Sequence, residues 1–191
     1  MPAKTNRGPV AGPANRRALI SAARTVFAES GYDAPLNAVA RRAGVGQGSL
    51  YRHFPDRVSL AVAVFDENIG ELEAFARSKR SSLGGLIELV IEQAIVSTAL
   101  IELTMNSADD ERVRVLGERV AALVDEVVAV ERDRGRIGAE VDSADVLLAI
   151  SMLAAIVSRT PEQDRRSVAE RAWALFPASF AVTVHGAGMV E

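Results

Sequence analysis

The chain has no cysteine and only two histidines among its 191 residues. Without thiols it forms no disulfide, iron–sulfur cluster or thiolate zinc site, and it has no cysteine nucleophile. His53 and His185 stand too far apart in sequence to make a local ligand pair, so neither a metal centre nor any other cofactor is expected. Long apolar runs are missing too: charges interrupt every stretch before the roughly 18 uninterrupted apolar residues of a spanning helix. Residues 1–14 are polar, with Pro2, Gly8, Pro9, Gly12 and Pro13, and lack the apolar core of an export signal. A cytoplasmic protein is the expectation. There is no alternating strand pattern with hairpin turns, no internal repeat, no Walker-type lysine and no Gly-x-Ser-x-Gly elbow. The run Gly44-x-Gly46-x-Gly48 fails as a dinucleotide fingerprint, because that motif needs glycine where Ser49 stands and a strand where this sequence reads as helix. No nucleophile–base pair or metal constellation can be assembled, so the chain does not read as an enzyme.

What is present is an ordinary globular composition, 49% hydrophobic and 25% charged, with a net charge of −3. The length suits one large or two small domains. The charge is unevenly placed. Residues 1–60 hold nine cations (Lys4, Arg7, Arg16, Arg17, Arg24, Arg41, Arg42, Arg52, Arg57) against Glu29, Asp33 and Asp56, a balance of +6. The remainder holds 13 basic and 22 acidic residues, a balance of −9. A basic head on an acidic body points to a polyanion partner for the head alone.

Apolar residues recur at helical spacing nearly throughout. In residues 15–30, Leu19, Ile20, Ala23, Val26 and Phe27 share one helix face, with Asn15 as the expected N-cap and Gly31 just past the end. A short helix follows with Pro35 in its first turn and Val39, Ala40 and Ala43 inward, and Gly44 ends it. Val45–Phe54 reads as a third short helix with Leu50 and Phe54 inward. Asp56 opens a fourth, carrying Leu60, Val64, Ile69, Leu72 and Phe75 towards Ser78. Longer helices are expected at 83–105, at 109–134 (started by Ser107 with Asp110, broken or bent near Gly117) and from the capping pair Asp142/Asp145 to residue 159. The last is started by Thr160-Pro161-Glu162-Gln163 and runs to Val184. The expected fold is all-α; the motif at residues 37–54 and the family resemblance set out below imply an N-terminal three-helix helix-turn-helix DNA-binding domain followed by a larger helical ligand-binding and dimerisation domain. The expected divisions are a flexible basic arm at 1–14, the helix-turn-helix at 15–60, the helical body at 61–184 and a flexible tail at 185–191.

The informative stretch is residues 37–54. A helix-turn-helix needs a small residue where its helices nearly touch, and Ala40 supplies it. It needs a residue tolerant of positive φ in the turn, supplied by Gly44. Val39, Val45 and Leu50 supply the apolar lock. The second helix then shows Gln47, Ser49, Tyr51, Arg52 and His53 outward, groups suited to base edges and phosphates. Arg42 is placed to approach phosphate, Arg16 and Arg17 to reach the backbone, and Lys4 and Arg7 to enter the minor groove as an arm.

Gly31-Tyr32-Asp33-Ala34, Ala40-Arg41-Arg42-Ala43-Gly44-Val45 and Ser49-Leu50-Tyr51-Arg52-His53-Phe54-Pro55-Asp56-Arg57 together resemble the DNA-binding domain of the TetR family of bacterial transcriptional regulators. The resemblance covers about residues 15–62 and is most specific through Leu50–Phe54. It implies a homodimer placing two recognition helices in successive major grooves of a palindromic operator, with a small molecule in the body altering their separation. Residue by residue, it implies base reading by Gln47, Gly48 and Arg52, with Asn37 reading a base in some members. It implies phosphate contacts from Ser49, Tyr51, His53 and Arg57. One departure stands out: where the family often begins its second helix with a phosphate-binding Thr or Ser, this chain has Pro35-Leu36.

For the body, the last two helices are the expected dimer interface, forming a four-helix bundle with their symmetry mates; Val141–Val157 is apolar enough that both faces should be covered. The effector cavity is expected among the fourth to eighth helices, with Gln93, Ser97, Thr98 and Thr104 as polar groups and Phe65, Met105, Met152 and Trp173 as walls. Few cations lie on those faces, which favours an apolar or neutral ligand. Two functions stay open at this point. One is a ligand-responsive DNA-binding regulator, a repressor released by a small molecule; the other is a helical ligand-binding or scaffold protein without operator recognition.

Overall fold

The computed structural model describes residues 11–96, 98–99, 102–103, 107–176 and 180. Among the described residues the chain is all-helical, without a strand: α1 (Ala11–Ser30), α2 (Leu36–Arg42), α3 (Gln47–His53), α4 (Arg57–Ala76), α5 (Leu83–Val96), α6 (Glu111–Asp133), α7 (Ser143–Ser158), a 3-10 turn (Glu162–Asp164) and α8 (Arg165–Trp173). The chain packs as two units, Met1–Ile69 with Val96–Leu116 and Gly70–Ile95 with Gly117–Glu191.

In the first unit α1 touches both α2 and α3, and α2 touches α3. The residues that share one helix face by spacing are the ones removed from water: Leu19, Ala23 and Phe27 on α1, Val39 and Ala40 on α2, Leu50 on α3, then Phe54, Leu60 and Val64. Each large apolar side chain so buried contributes about 1.5–3 kcal/mol. α2 and α3 have seven residues each, far below the length at which an isolated helix holds in water, so this packing is what makes them helical. Gly44 has φ +64 and ends α2 with a double clasp: its N–H reaches Arg41 O at 3.1 Å, and the Val45 N–H reaches Ala40 O at 3.0 Å. Any side chain with a Cβ would strain that turn.

In the second unit the buried faces follow the same arithmetic: Leu86, Ile87 and Ile91 on α5, Leu123, Val124, Val127 and Val128 on α6, and Val146, Ala149, Leu153 and Val157 on α7. Trp173, Phe176 and Phe180 form an aromatic cluster with ring centroids 5.9–6.3 Å apart. α7 begins in a reciprocal cap: Asp142 accepts the Asp145 N–H and Asp145 accepts the Asp142 N–H, both at 3.0 Å. The buried Glu131 carboxylate holds the Arg136 guanidinium in the turn after α6.

Several local expectations are corrected. α1 starts at Ala11, so Asn15 lies in its second turn and cannot cap it. Pro35 is the N-cap of α2 and not part of its first turn, and no side chain caps that end. Asp110 stands immediately before α6 and accepts the Arg112 N–H at 2.9 Å, the role expected of Ser107. α6 runs through Gly117 without interruption, because one glycine removes no backbone hydrogen bond. Thr160 does not cap the last helix: its hydroxyl turns back to Ile156 O at 2.8 Å, and Pro161 leads into a 3-10 turn before α8. α5 ends at Val96 and α8 at Trp173; of the longer spans expected, residues 97, 100–101, 104–105, 177–179 and 181–184 lie outside the described residues.

Candidate nucleic-acid interface

α3 is anchored from inside and polar outside. Leu50 is 1% exposed and Phe54, its C-cap, 2%, which fixes the opposite face towards solvent. That face presents Gln47, Gly48, Tyr51 and Arg52, all exposed, with Tyr51 52% open to water. An exposed aromatic and an exposed guanidinium one residue apart contribute little to stability, and both are suited to groove and phosphate contacts.

The remaining residues at the site are more constrained. Ser49 is half-buried, and its hydroxyl accepts a long contact from Asn15 Nδ2 at 3.5 Å. His53 is half-buried, its Cε1 facing the start of α1 at 4.0 Å from where a Cβ on Gly12 would lie. Asn37 is exposed on α2. Arg42 is exposed and paired with Glu29 at 2.9 Å. Arg16 stacks over the Phe54 ring, 5.2 Å from its centroid, while Arg17 is exposed. Lys4 and Arg7 lie outside the described residues.

Arg57 has turned inward. Its Nη1 donates to Tyr32 O and Ala34 O, and its guanidinium sits 5.5 Å above the Tyr32 ring. It therefore braces the turn between α1 and α2 from the first residue of α4. Beside it, Asp56 caps α4: its Oδ1 accepts the Ser59 N–H at 2.6 Å, and the Ser59 hydroxyl accepts the Asp56 N–H at 3.3 Å. Burial pushes the Asp56 carboxyl up, but the Ser59 N–H and the Arg112 guanidinium outweigh it and hold the group below its ordinary value.

Contacts that sequence spacing does not signal also converge here. Tyr32 N–H donates to Glu102 at 2.8 Å, Arg112 bridges Asp56 and Asp110, and Arg24 ties α1 to Glu67 of α4 at 2.8 Å. Each joins residues far apart in the chain or reads locally as a solvated charge, so periodicity gives no hint of them.

The expected effector residues that are described fall in both units. Phe65 and Thr98 are buried in the first unit, the Thr98 hydroxyl bonded to Glu102 at 3.0 Å. Gln93 is half-buried on α5 and Met152 is 48% exposed on α7. Ser97, Thr104 and Met105 lie outside the described residues. Trp173 alone lines the large groove of the second unit, about 1040 Å³, together with Phe75, Arg80, Glu88, Leu89 and the ion pair of Arg166 with Glu92. Among the described residues no group of histidines and carboxylates is arranged to hold a metal ion, and no helix is long and apolar enough to cross a membrane.

The first unit thus carries a helix-turn-helix, and the second unit is all-helical among the described residues. Residues 19–64 match the family model described as bacterial regulatory proteins, tetR family. The chain is similar to the transcriptional repressor KstR of Mycobacterium tuberculosis, 32% identical over 84 residues, 44% of this chain and 37% of that protein. It is also similar to the A-factor receptor protein of Streptomyces griseus, 38% identical over 58 residues, 30% of this chain and 21% of that protein. These matches span about a third or less of the relatives' own length. The fold extends further: a TetR transcriptional regulator from Streptomyces coelicolor superposes with a TM-score of 0.64 at 26% identity, covering 88% of this chain and 99% of that one.

Proposed function

We propose that the protein is a ligand-responsive DNA-binding transcriptional regulator, a repressor that binds a palindromic operator as a homodimer and is released by a small molecule. The observation that carries this is α3: a helix held by Leu50 and Phe54 that turns Gln47, Gly48, Tyr51 and Arg52 to solvent inside the only strongly basic part of the sequence. Gln47, Gly48 and Arg52 read bases, while Ser49, Tyr51 and His53 hold phosphates. Asn37 and Arg42 add contacts from α2, Arg42 after leaving Glu29. Arg57 reaches phosphate only with the guanidinium nitrogens that the turn does not occupy. The acidic body is repelled by DNA, so docking is head first.

The dimer is supported by α7. Leu148, Met152 and Ile156 fall four residues apart on one face and are 59%, 48% and 43% exposed, with Leu175 after α8 at 74%. An apolar stripe of this kind on a helix whose other face is already core needs a partner, and a symmetry mate of the same helices supplies one. The groove beside Trp173 is the effector site this reading favours. Its apolar walls and internally paired Arg166 suit a largely apolar or neutral molecule.

Selection from random DNA with the purified chain tests the reading. An enriched palindrome whose binding weakens steeply with salt, and is abolished by Tyr51→Ala or Arg52→Ala without unfolding, is the expected result. No enriched sequence would favour the scaffold reading, for which the uncapped start of α2 at Pro35 is the one supporting observation.

A further inference from the structure

Two points flank α2–α3 in the chain, Tyr32 before and Asp56 after, and both are gripped by one remote stretch, residues 98–112. At the first, Glu102 Oε2 accepts the Tyr32 N–H at 2.8 Å while its Oε1 accepts the buried Thr98 hydroxyl at 3.0 Å. The fit is close: with Gly31 at φ +75, a Cβ there would meet Glu102 Oε2 at 3.4 Å. The Tyr32 carbonyl is held in turn by Arg57, so both polar groups of that residue's backbone are fixed from outside the turn. At the second point, Arg112 Nη1 donates to both Asp56 oxygens at 3.1 Å, while its Nε and Nη2 hold Asp110 at 2.9 and 2.7 Å. Asp56 is itself the cap of α4. The end of the helix-turn-helix is thereby tied to the start of α6.

A seven-residue recognition helix with one buried side chain of its own has little to fix its direction. Its pose is set by what holds its flanks. From this geometry we infer that Glu102 and Arg112 are positioning residues for DNA binding: they set the pose of α2–α3 through Tyr32 and Asp56 without touching DNA themselves. The inference rests on the DNA-binding reading above. When either latch is cut, the binding-competent pose becomes one of several, and apparent affinity falls by the fraction lost. The set of phosphates contacted is unchanged, so the salt dependence of the remaining binding is unchanged as well.

The test uses the full chain, the sequence enriched by the wild type, and the variants Glu102→Ala, Glu102→Gln and Arg112→Ala. Dissociation constants are measured across a salt series, with urea unfolding and amide exchange at Tyr32 alongside. Glu102→Ala and Arg112→Ala are expected to weaken specific binding about tenfold, the effect of cutting the competent fraction to about a tenth. The slope of log affinity against log salt stays that of the wild type. Glu102→Gln keeps a carbonyl oxygen for the Tyr32 N–H and binds nearly as wild type, whereas Glu102→Ala speeds exchange of that amide. A folded Glu102→Ala that binds as tightly as wild type overturns the inference, as does Glu102→Gln losing as much as Glu102→Ala. A salt slope reduced by about one per substitution overturns it too, since that marks a direct phosphate contact. If Glu102→Ala fails to fold, Arg112→Ala decides alone, its side chain being 40% exposed; full affinity there sinks the inference. No enriched sequence with wild type overturns the DNA-binding reading and this inference with it. Enrichment with unaffected variants overturns this inference only.

Discussion

Leu50 and Tyr51 are neighbours on one short helix with opposite tasks, and replacing each by alanine should separate them. Leu50 is 1% exposed and is the only buried residue within α3. Leu50→Ala removes its packing and leaves a cavity between α3 and its neighbours, at a cost of about 3 kcal/mol within the usual range of about 2–5. Against a total stability of about 5–15 kcal/mol, that loss is large. It falls first on α3, which has no other internal anchor, so amide exchange in residues 47–53 should accelerate more than elsewhere. Tyr51 is 52% exposed and makes no aromatic pairing among the described residues, so Tyr51→Ala should change stability by no more than about 0.5 kcal/mol. Both variants are expected to lose specific DNA binding, one by melting the helix and the other by deleting a contact from an intact one. Urea unfolding followed by circular dichroism, read beside a binding titration, distinguishes them. A Tyr51→Ala unfolding free energy lowered by more than about 2 kcal/mol, or an unchanged one for Leu50→Ala, would refute the division of labour.

Three further outcomes follow from the same geometry. Gly44→Ala should cost about 1–2 kcal/mol in thermal unfolding purely through its positive φ, since no atom lies within 4 Å of the added Cβ; an unchanged Tm would show that the turn relaxes freely. Met152→Glu places a charge in the middle of the exposed α7 stripe, and sedimentation should show a dimer turning into monomer with helicity retained; an undisturbed dimer would move the interface elsewhere. The Asp110 carboxyl is lowered from 3.8 to about 2, chiefly by the Arg112 side chain. Its folded pKa lies below its unfolded one, so the stabilisation it supplies is complete above about pH 4 and disappears as pH falls through about 2. Carboxyl-carbon NMR reads this directly, and titration at the ordinary value would show that Arg112 does not hold Asp110.

How much of this was legible in the sequence depends on how local the physics is. The helix-turn-helix was legible because its requirements are written within a few residues: Ala40 small at the crossing, Gly44 free to take positive φ, Leu50 and Phe54 at inward spacing. All four sit in the structure as those requirements demand. The Asp142–Asp145 cap was legible for the same reason. Caps were misread where a second local partner competes. Thr160 has the right chemistry to start a helix, yet the Ile156 carbonyl four residues back lies within reach and takes its hydroxyl. Asn15 failed as a cap because α1 begins a turn earlier.

The site was less legible than the fold, because an arginine carries the same letters whether it faces solvent, DNA or a carbonyl. Arg57 shows the consequence. By resemblance it is a phosphate contact, but in this structure Tyr32 and Ala34 present two carbonyls and an aromatic face within its reach, and desolvated charge-assisted bonds of that kind hold a guanidinium more firmly than exposed pairs do. Glu102 shows the reverse case: 70 residues separate it from Tyr32, and nothing around it marks it as different from any other acidic position on a helix. The two belong to one arrangement, since Arg57 takes the carbonyl of Tyr32 and Glu102 its N–H. The part of the protein that reads as an independent DNA-binding module is therefore fastened at Tyr32 both from within, by Arg57, and from far along the chain, by Glu102, so that Glu102→Ala should weaken operator binding although Glu102 lies outside α3.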